Sequence, residues 1–291
     1  MRYDFALLFT VLTALTGAIW LIDALFFAPA RKRAFAAEMA NAEPPPAGED
    51  DSSATTGENN PREPVLVEYS RSLFPVILII LLVRSFLGEP YRIPSKSMMP
   101  TLVIGDFILV NKYAYGLRLP VLDTKIVKVG EPQRGDVIVF HPPLAPNEVW
   151  IKRVIGLPGD TVAYDNYQLT INGKPVPTQP SAPYVGRASG RVETGEQQFS
   201  ESMPGHDHLV LSKNIPPMFQ EGNGTWTVPP DTYFMMGDNR DDSADSRFWP
   251  KYGYTSFLPE RDIVGKAVLV WMNYDFDAWE MDSSRIGTII R

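Results

Sequence analysis

The chain has no cysteine. Zinc fingers, thiol proteases and disulfide scaffolds drop out together. Histidine is scarce, at three in 291 residues. His206 and His208 sit close together in "PGHDHL", but no further histidine or cysteine can complete a metal site with them. They read as solvated loop residues, and His141 in "FHPP" as a strand-end residue. A Ser–His pair stays open without support. Positive charge is short as well: the net charge is -7, which argues against a protein built mainly to bind nucleic acid. No internal repeat is present, and no helical periodicity is sustained after residue 88.

Long apolar runs, by contrast, are present. "FALLFTVLTALTGAIWLIDALFF", Phe5 to Phe27, is long enough to cross a bilayer, since about 20 helical residues cover its hydrocarbon core. Asp23 is its one ionisable residue and lies near one end, where it can face the interfacial zone. Arg31, Lys32 and Arg33 follow at once, which puts the amino terminus outside and residue 31 in the cytoplasm. A cleaved signal peptide is the second reading, disfavoured because its basic residues would precede the apolar run. A second run, "SLFPVILIILLVRSFL" from Ser72 to Leu87, spans if Arg71 and Arg84 snorkel to opposite interfaces, with Pro75 near the helix start. A buried core helix is the alternative there.

These runs divide the chain. The expected organisation is a transmembrane helix over 1–28, a flexible cytoplasmic loop over 29–64, and a second transmembrane helix over 65–87. The loop assignment rests on "AEPPPAGEDDSSATTGENNPREP", which has too little apolar surface to fold alone. Everything after Leu87 is then extracytoplasmic. That remainder reads as mainly β, with 27 prolines and 12 tyrosines in the whole chain. "DFILVNKYAYG", "GDVIVF", "TYFMMGDN" and "IVGKAVLVWMNY" are β-branched and aromatic runs bounded by turn residues. Asn172–Gly173 in "QLTINGKPV" signals a hairpin. The expected fold is an antiparallel β-sheet domain in two parts, 88–160 and 233–291, with a looser β subdomain inserted over 161–232.

Without cysteine, a serine or threonine is the available nucleophile, and it needs a base. "YRIPSKSMMPTL" places Ser95 and Ser97 one residue apart, with prolines restricting the backbone on either side. Lysine is the other source of a base. In "VWIKRVIGLPGD", strand alternation gives Lys152 the large apolar neighbours Trp150 and Val154 on its own face. Burial lowers a lysine pKa by up to about 3–5 units, toward the range a general base needs. The same pattern also fits an edge-strand lysine pointing into water, and pattern alone favours that. The third cluster is "GDNRDDSADSR", Gly237 to Arg247. As an EF-hand loop starting at Asp241 it fails, because its sixth position is Ser246 and its twelfth is Tyr252.

"PSKSMMPTL", "RGDVIVF", "IKRVIGLPGD" and "GDNRDDSADSR", in this order after two apolar segments, closely resemble bacterial type I signal peptidase (leader peptidase). The resemblance covers roughly residues 65–175 and 225–291. It implies a membrane-bound serine endopeptidase that removes signal peptides from exported preproteins, with its catalytic domain facing the periplasm. It implies Ser97 as nucleophile and Lys152 as general base. Ser95 would join the Ser97 N–H in an oxyanion hole, and Ser243 would orient the lysine amine. Asp245 with Arg247, and Asp238 with Arg153, would be supporting pairs. Ile93, Pro94, Met98, Leu102, Trp150 and Ile151 would line pockets for small side chains. Signal peptides and membrane lipid are the implied partners, with no metal, cofactor or nucleic acid. Trp271, Trp279 and Phe248–Trp249 are candidate interfacial anchors. Lys96 stands where close relatives commonly carry glycine. Two other classes are weighed: a Ser/Lys self-cleaving regulator of related fold, and a non-catalytic membrane-anchored binding module.

Overall fold

A computed structural model describes residues 5–41, 63–83, 88–118, 125–143, 145–213, 215–216, 219–276 and 279–291. The chain forms two units, Tyr3–Arg84 and a larger one from Ser85 onward.

In the smaller unit, α1 runs from Phe5 to Ile22, passes through a π turn at Asp23–Phe27, and continues as α2 from Ala28 to Asn41. A second helix, α3, covers Val65–Leu82. Both are long and apolar enough to cross a membrane. Gly17 of α1 lets the Phe74 ring of α3 come close, and Trp20 stacks on Phe74 at 5.5 Å between centroids. Two expectations need correction. Residues 29–41 are helical, because "ARKRAFAAEMAN" is rich in alanine and other good helix formers. Of the acidic stretch expected as a loop, 42–64, residues 42–62 lie outside the described residues, as does Arg84. Pro75 is in the interior of α3, since the helix begins seven residues before Ser72, at Val65 after Pro64. Asp23 is buried in a two-pronged pair with Arg31, at 2.5 and 2.7 Å. This is how a carboxylate is tolerated on an otherwise apolar helix.

The larger unit is mainly β, and among its described residues there is no α-helix. Its strands in chain order begin with β1 Glu89–Arg92, β2 Asp106–Asn111, β3 Leu117–Arg118, β4 Lys125–Val127, β5 Val137–Phe140 and β6 Trp150–Gly156. Then come β7 Thr161–Asp165, β8 Gln168–Ile171, β9 Lys174–Pro175, β10 Thr178–Pro180, β11 Gln197–Met203, β12 His206–Ser212 and β13 Gly224–Thr227. The last four are β14 Thr232–Met236, β15 Leu258–Pro259, β16 Ile263–Asn273 and β17 Thr288–Ile289. An eight-stranded antiparallel sheet runs β1-β2-β16-β5-β6-β14-β15, with β17 beside β16. Register breaks along β16 curl the sheet, as extra residues in one strand increase its local twist.

Alternation decides where the core lies. Val137 and Val139 of β5 enter one apolar cluster with Ile93, Met98, Leu102, Ile108 and Ile151. Ile138 and Phe140 enter another with Val154, Tyr233, Met235 and Trp249. The central strands β5 and β6 are thus covered on both faces, and every residue from Ile151 to Gly156 is buried. The segment between β6 and β14 is better ordered than its composition implies. It forms a four-stranded sheet, β13-β7-β8-β9, and a three-stranded one, β10-β11-β12. Val162, Tyr164, Leu169 and Met203 share a third apolar cluster with Phe234 and Met236 of β14. The outward-facing polar residues of these strands hide that pattern in the sequence. Asn172 and Gly173 both have positive φ, 52° and 74°, as a tight hairpin requires.

Candidate active site

The seryl segment is a loop closed at its base by the backbone. Ile93 N–H donates to the Asp106 carbonyl at 2.8 Å, and Gly105 N–H donates to the Ile93 carbonyl at 2.9 Å. The Asp106 carboxylate accepts from Val103 N–H at 2.8 Å and from Asn273 Nδ2 at 2.9 Å, and pairs with Arg285. Met98, Met99 and Leu102 are fully buried and fasten the loop to the interior. Ser97 is buried at its turn while Ser95 is exposed, and their Oγ atoms are 3.4 Å apart.

Lys152 comes from the middle of β6, between β5 and β14, so it is not an edge-strand lysine. Only 4% of it is exposed. Its Nζ lies 2.8 Å from Ser97 Oγ, 3.0 Å from the Ile151 carbonyl and 5.6 Å from the Trp150 ring centroid. Burial lowers its pKa to about 8, against the opposing pull of the Asp245 and Asp238 charges. A neutral amine at this distance can accept the serine proton.

Those two carboxylates are each occupied by an arginine. Arg153, the residue after the lysine, grips Asp238 with Nε at 2.8 Å and Nη2 at 2.6 Å. Thr101 Oγ1 donates to the same carboxylate at 2.5 Å. Asp245 accepts from Arg247 Nε at 2.9 Å and Nη2 at 2.8 Å, and from Gly237 N–H at 3.0 Å. Burial alone would raise both aspartates, but the arginines hold them below the usual carboxylate range. Asn239 N–H donates to the Ser97 carbonyl at 3.1 Å, so the 237–247 segment touches the seryl turn directly. Ser243 is buried against Gly237.

The structure therefore brings Ser95, Ser97, Lys152, Ser243 and both Asp–Arg pairs to one place. The six pocket residues are distributed differently. Ile93, Met98, Leu102 and Ile151 share one apolar cluster, with Met98 and Leu102 fully inside it, Trp150 flanks the other cluster, and Pro94 is exposed. Two expectations fail here. His206 and His208 are not solvated loop residues: both lie in β12, His206 half-buried and His208 buried, 3.4 Å from Glu201 and 3.9 Å from Asp238. Trp249 is fully buried in the core, so it cannot be an interfacial anchor. Sequence reasoning also missed the buried Arg240–Glu201 pair and Thr101. Arg240 and Glu201 are 39 residues apart, and no local pattern links them. The RGD and PGD turns are joined by Arg134 Nη2 to Asp160 Oδ2 at 2.8 Å, which locks the two ends of the β5–β6 region.

A family profile described as "Signal peptidase, peptidase S26" matches residues 66–272. Signal peptidase I of Pseudomonas aeruginosa is 46% identical over 280 residues, covering 94% of each chain. Signal peptidase I of Pseudomonas fluorescens is 44% identical over 280 residues, again with 94% of each chain covered. That of Haemophilus influenzae is 35% identical over 322 residues, covering 95% of this chain and 88% of the other. The class is thereby defined: a serine endopeptidase of family S26. Within it, the chain belongs to the bacterial type I signal peptidases.

Gly237 gives the site a direct steric test. A Cβ there would come within 2.5 Å of Ser243 Cβ and of the Ser97 carbonyl oxygen. Gly237→Ala is expected to lower kcat/KM about tenfold or more, with the far-ultraviolet circular dichroism unchanged, because small displacements of reacting groups are costly. Peptide cleavage within twofold of wild type would show that the site tolerates the shift.

Proposed function

We propose that this protein cleaves signal peptides from exported preproteins with a Ser97–Lys152 pair. The observation that carries the reading is the 2.8 Å contact between Ser97 Oγ and an amine whose burial sets its pKa at about 8. Neutral Lys152 takes the Ser97 proton as Oγ attacks the scissile carbonyl. The resulting oxyanion is received by Ser95 Oγ and the Ser97 N–H. The lysine ammonium then gives its proton to the departing amine, leaving an acyl-enzyme. Water, deprotonated by the same lysine, releases the acyl group and restores the serine. Ser243 keeps the amine aimed, and Asp245–Arg247 and Asp238–Arg153 keep the surrounding backbone in place.

Cleavage follows small residues. Pro94 and Trp150 are the accessible residues that meet the substrate, while Ile93, Ile151, Met98 and Leu102 back them from inside the core. Both apolar helices span the bacterial inner membrane, with Arg31, Lys32 and Arg33 in the cytoplasm and the β unit in the periplasm. Trp271 and Trp279 are exposed and are proposed to contact lipid. Holding enzyme and substrate on one membrane raises their effective concentration. Nucleic acid has no part in this reading.

Ser97→Ala and Lys152→Ala are each expected to lower kcat by about 10⁴-fold or more, and Ser95→Ala by about 10²–10³-fold. Processing of a purified preprotein in detergent micelles is the measurement. Normal processing by either of the first two variants would remove the proposed pair.

The pH dependence has a definite sign. Protonated lysine cannot act as base, so kcat/KM is expected to fall about tenfold for each pH unit below about 8. A rate that stays flat down to about pH 5 would contradict a lysine base.

A further inference from the structure

Lys96 lies between the two serines, and its charge has a defined destination. Its Nζ is 2.7 Å from Glu193 Oε1 and 2.6 Å from Asp242 Oδ2. Lys213 Nζ meets the same Asp242 oxygen at 2.6 Å. Carboxylate oxygens of Glu193, Glu196 and Asp242 lie within 4.8 Å of one another, a grouping that would otherwise suggest a cation site. The Lys96 ammonium already fills that role. Burial raises the Glu196 carboxyl, while Glu193 is held low, against its own burial, by Glu196 and Lys96. With Glu196 protonated, two ammonium groups face two carboxylates and the cluster is balanced.

The two anions come from different segments of the chain. Asp242 belongs to the segment that also contacts Ser97 through Asn239. Glu193 ends a 3-10 turn, Ala188–Glu193, in the inserted region. That turn is itself pinned to the seryl loop, where Ser189 Oγ donates to the Ile104 carbonyl at 2.5 Å. Beside it, Met99, Val103 and Leu211 form a small apolar cluster against Tyr184. The Glu193 carboxylate is only 2% exposed, so that side of the clamp is shielded from water.

We infer that Lys96 is a positioning residue whose ammonium, clamped between Glu193 and Asp242, holds Ser95 and Ser97 in the geometry that attack requires. The inference rests on Ser97 being the nucleophile. It gives the inserted region a task, since that region supplies one jaw of the clamp. Lys96 is partly exposed but Glu193 is buried, so Lys96→Met also leaves a buried carboxylate unpaired, and kcat has to be read in a variant that removes that charge as well.

The test compares Lys96→Met, Lys96→Arg, Lys96→Met/Glu193→Gln and Ser97→Ala in the full chain, in micelles, on one preprotein. Lys96→Met is expected to lower kcat about tenfold with KM within about twofold, and with the acid limb of the pH profile unmoved. Lys96→Arg should keep kcat within about threefold. The double variant removes the carboxylate left unpaired by Lys96→Met, yet should remain as slow as Lys96→Met. Recovery of kcat in the double variant would overturn the inference, because the loss would then come from an unpaired buried charge. Wild-type kcat in Lys96→Met, or a shifted acid limb, would overturn it too. Ser97→Ala separates the layers. If it is inactive while Lys96→Met is normal, only the clamp fails; if it is active, the nucleophile assignment and the clamp fall together.

Discussion

The structure is organised around an amine that is kept out of water. Lys152 sits on a strand covered on both faces, and its Nζ has a serine hydroxyl and a backbone carbonyl within reach. An ammonium in that position loses most of its hydration, which is what lowers its pKa to about 8. Two buried aspartates work against this, since each negative charge nearby favours the protonated form. Their arginine partners limit that opposition. Arg153–Asp238 and Arg247–Asp245 are both almost wholly buried, and each is held by two charge-assisted hydrogen bonds. Removing one member of such a pair leaves a buried charge uncompensated, typically at a cost of about 3–5 kcal/mol. The pairs thus serve the lysine indirectly, by offsetting the aspartate charges that would otherwise hold a proton on the amine.

The rest of the larger unit brings sequence-distant segments to that amine. The Ile93–Asp106 and Gly105–Ile93 bonds close the seryl loop at its base. Asn239 ties its turn to the segment after β14, and the 188–193 turn reaches it from the inserted region. Four short motifs meet because β5, β6 and β14 are neighbours in one sheet. Cleavage chemistry on strands and closed turns needs little reorganisation when a substrate arrives.

Much of this could be read from the sequence, for physical reasons. β2 and β5 carry β-branched runs bounded by turn residues, and Asn172–Gly173 encodes its hairpin through backbone geometry alone. The apolar helices follow from length and composition. Lys152 was different. Its alternation was visible, but whether its strand was central or at an edge depended on β5 and β14 pairing from either side. The inserted region looked loose because its strands hide a shared core behind polar outward faces. His208 looked solvated because Glu201 and Asp238 reach it only through the fold. Lys96 had no readable partner, since Glu193 lies almost a hundred positions away in chain order.

The central claim is that burial lowers the Lys152 pKa to about 8, so that the neutral amine is within reach near that pH. Nuclear magnetic resonance of the full chain, with lysine side chains labelled at Cε and Nζ, follows that amine directly. Lys152→Ala identifies its signal by loss. One lysine is expected to titrate near pH 8, well below the others. A Lys152 signal that titrates above about pH 10 with the ordinary lysines would contradict it.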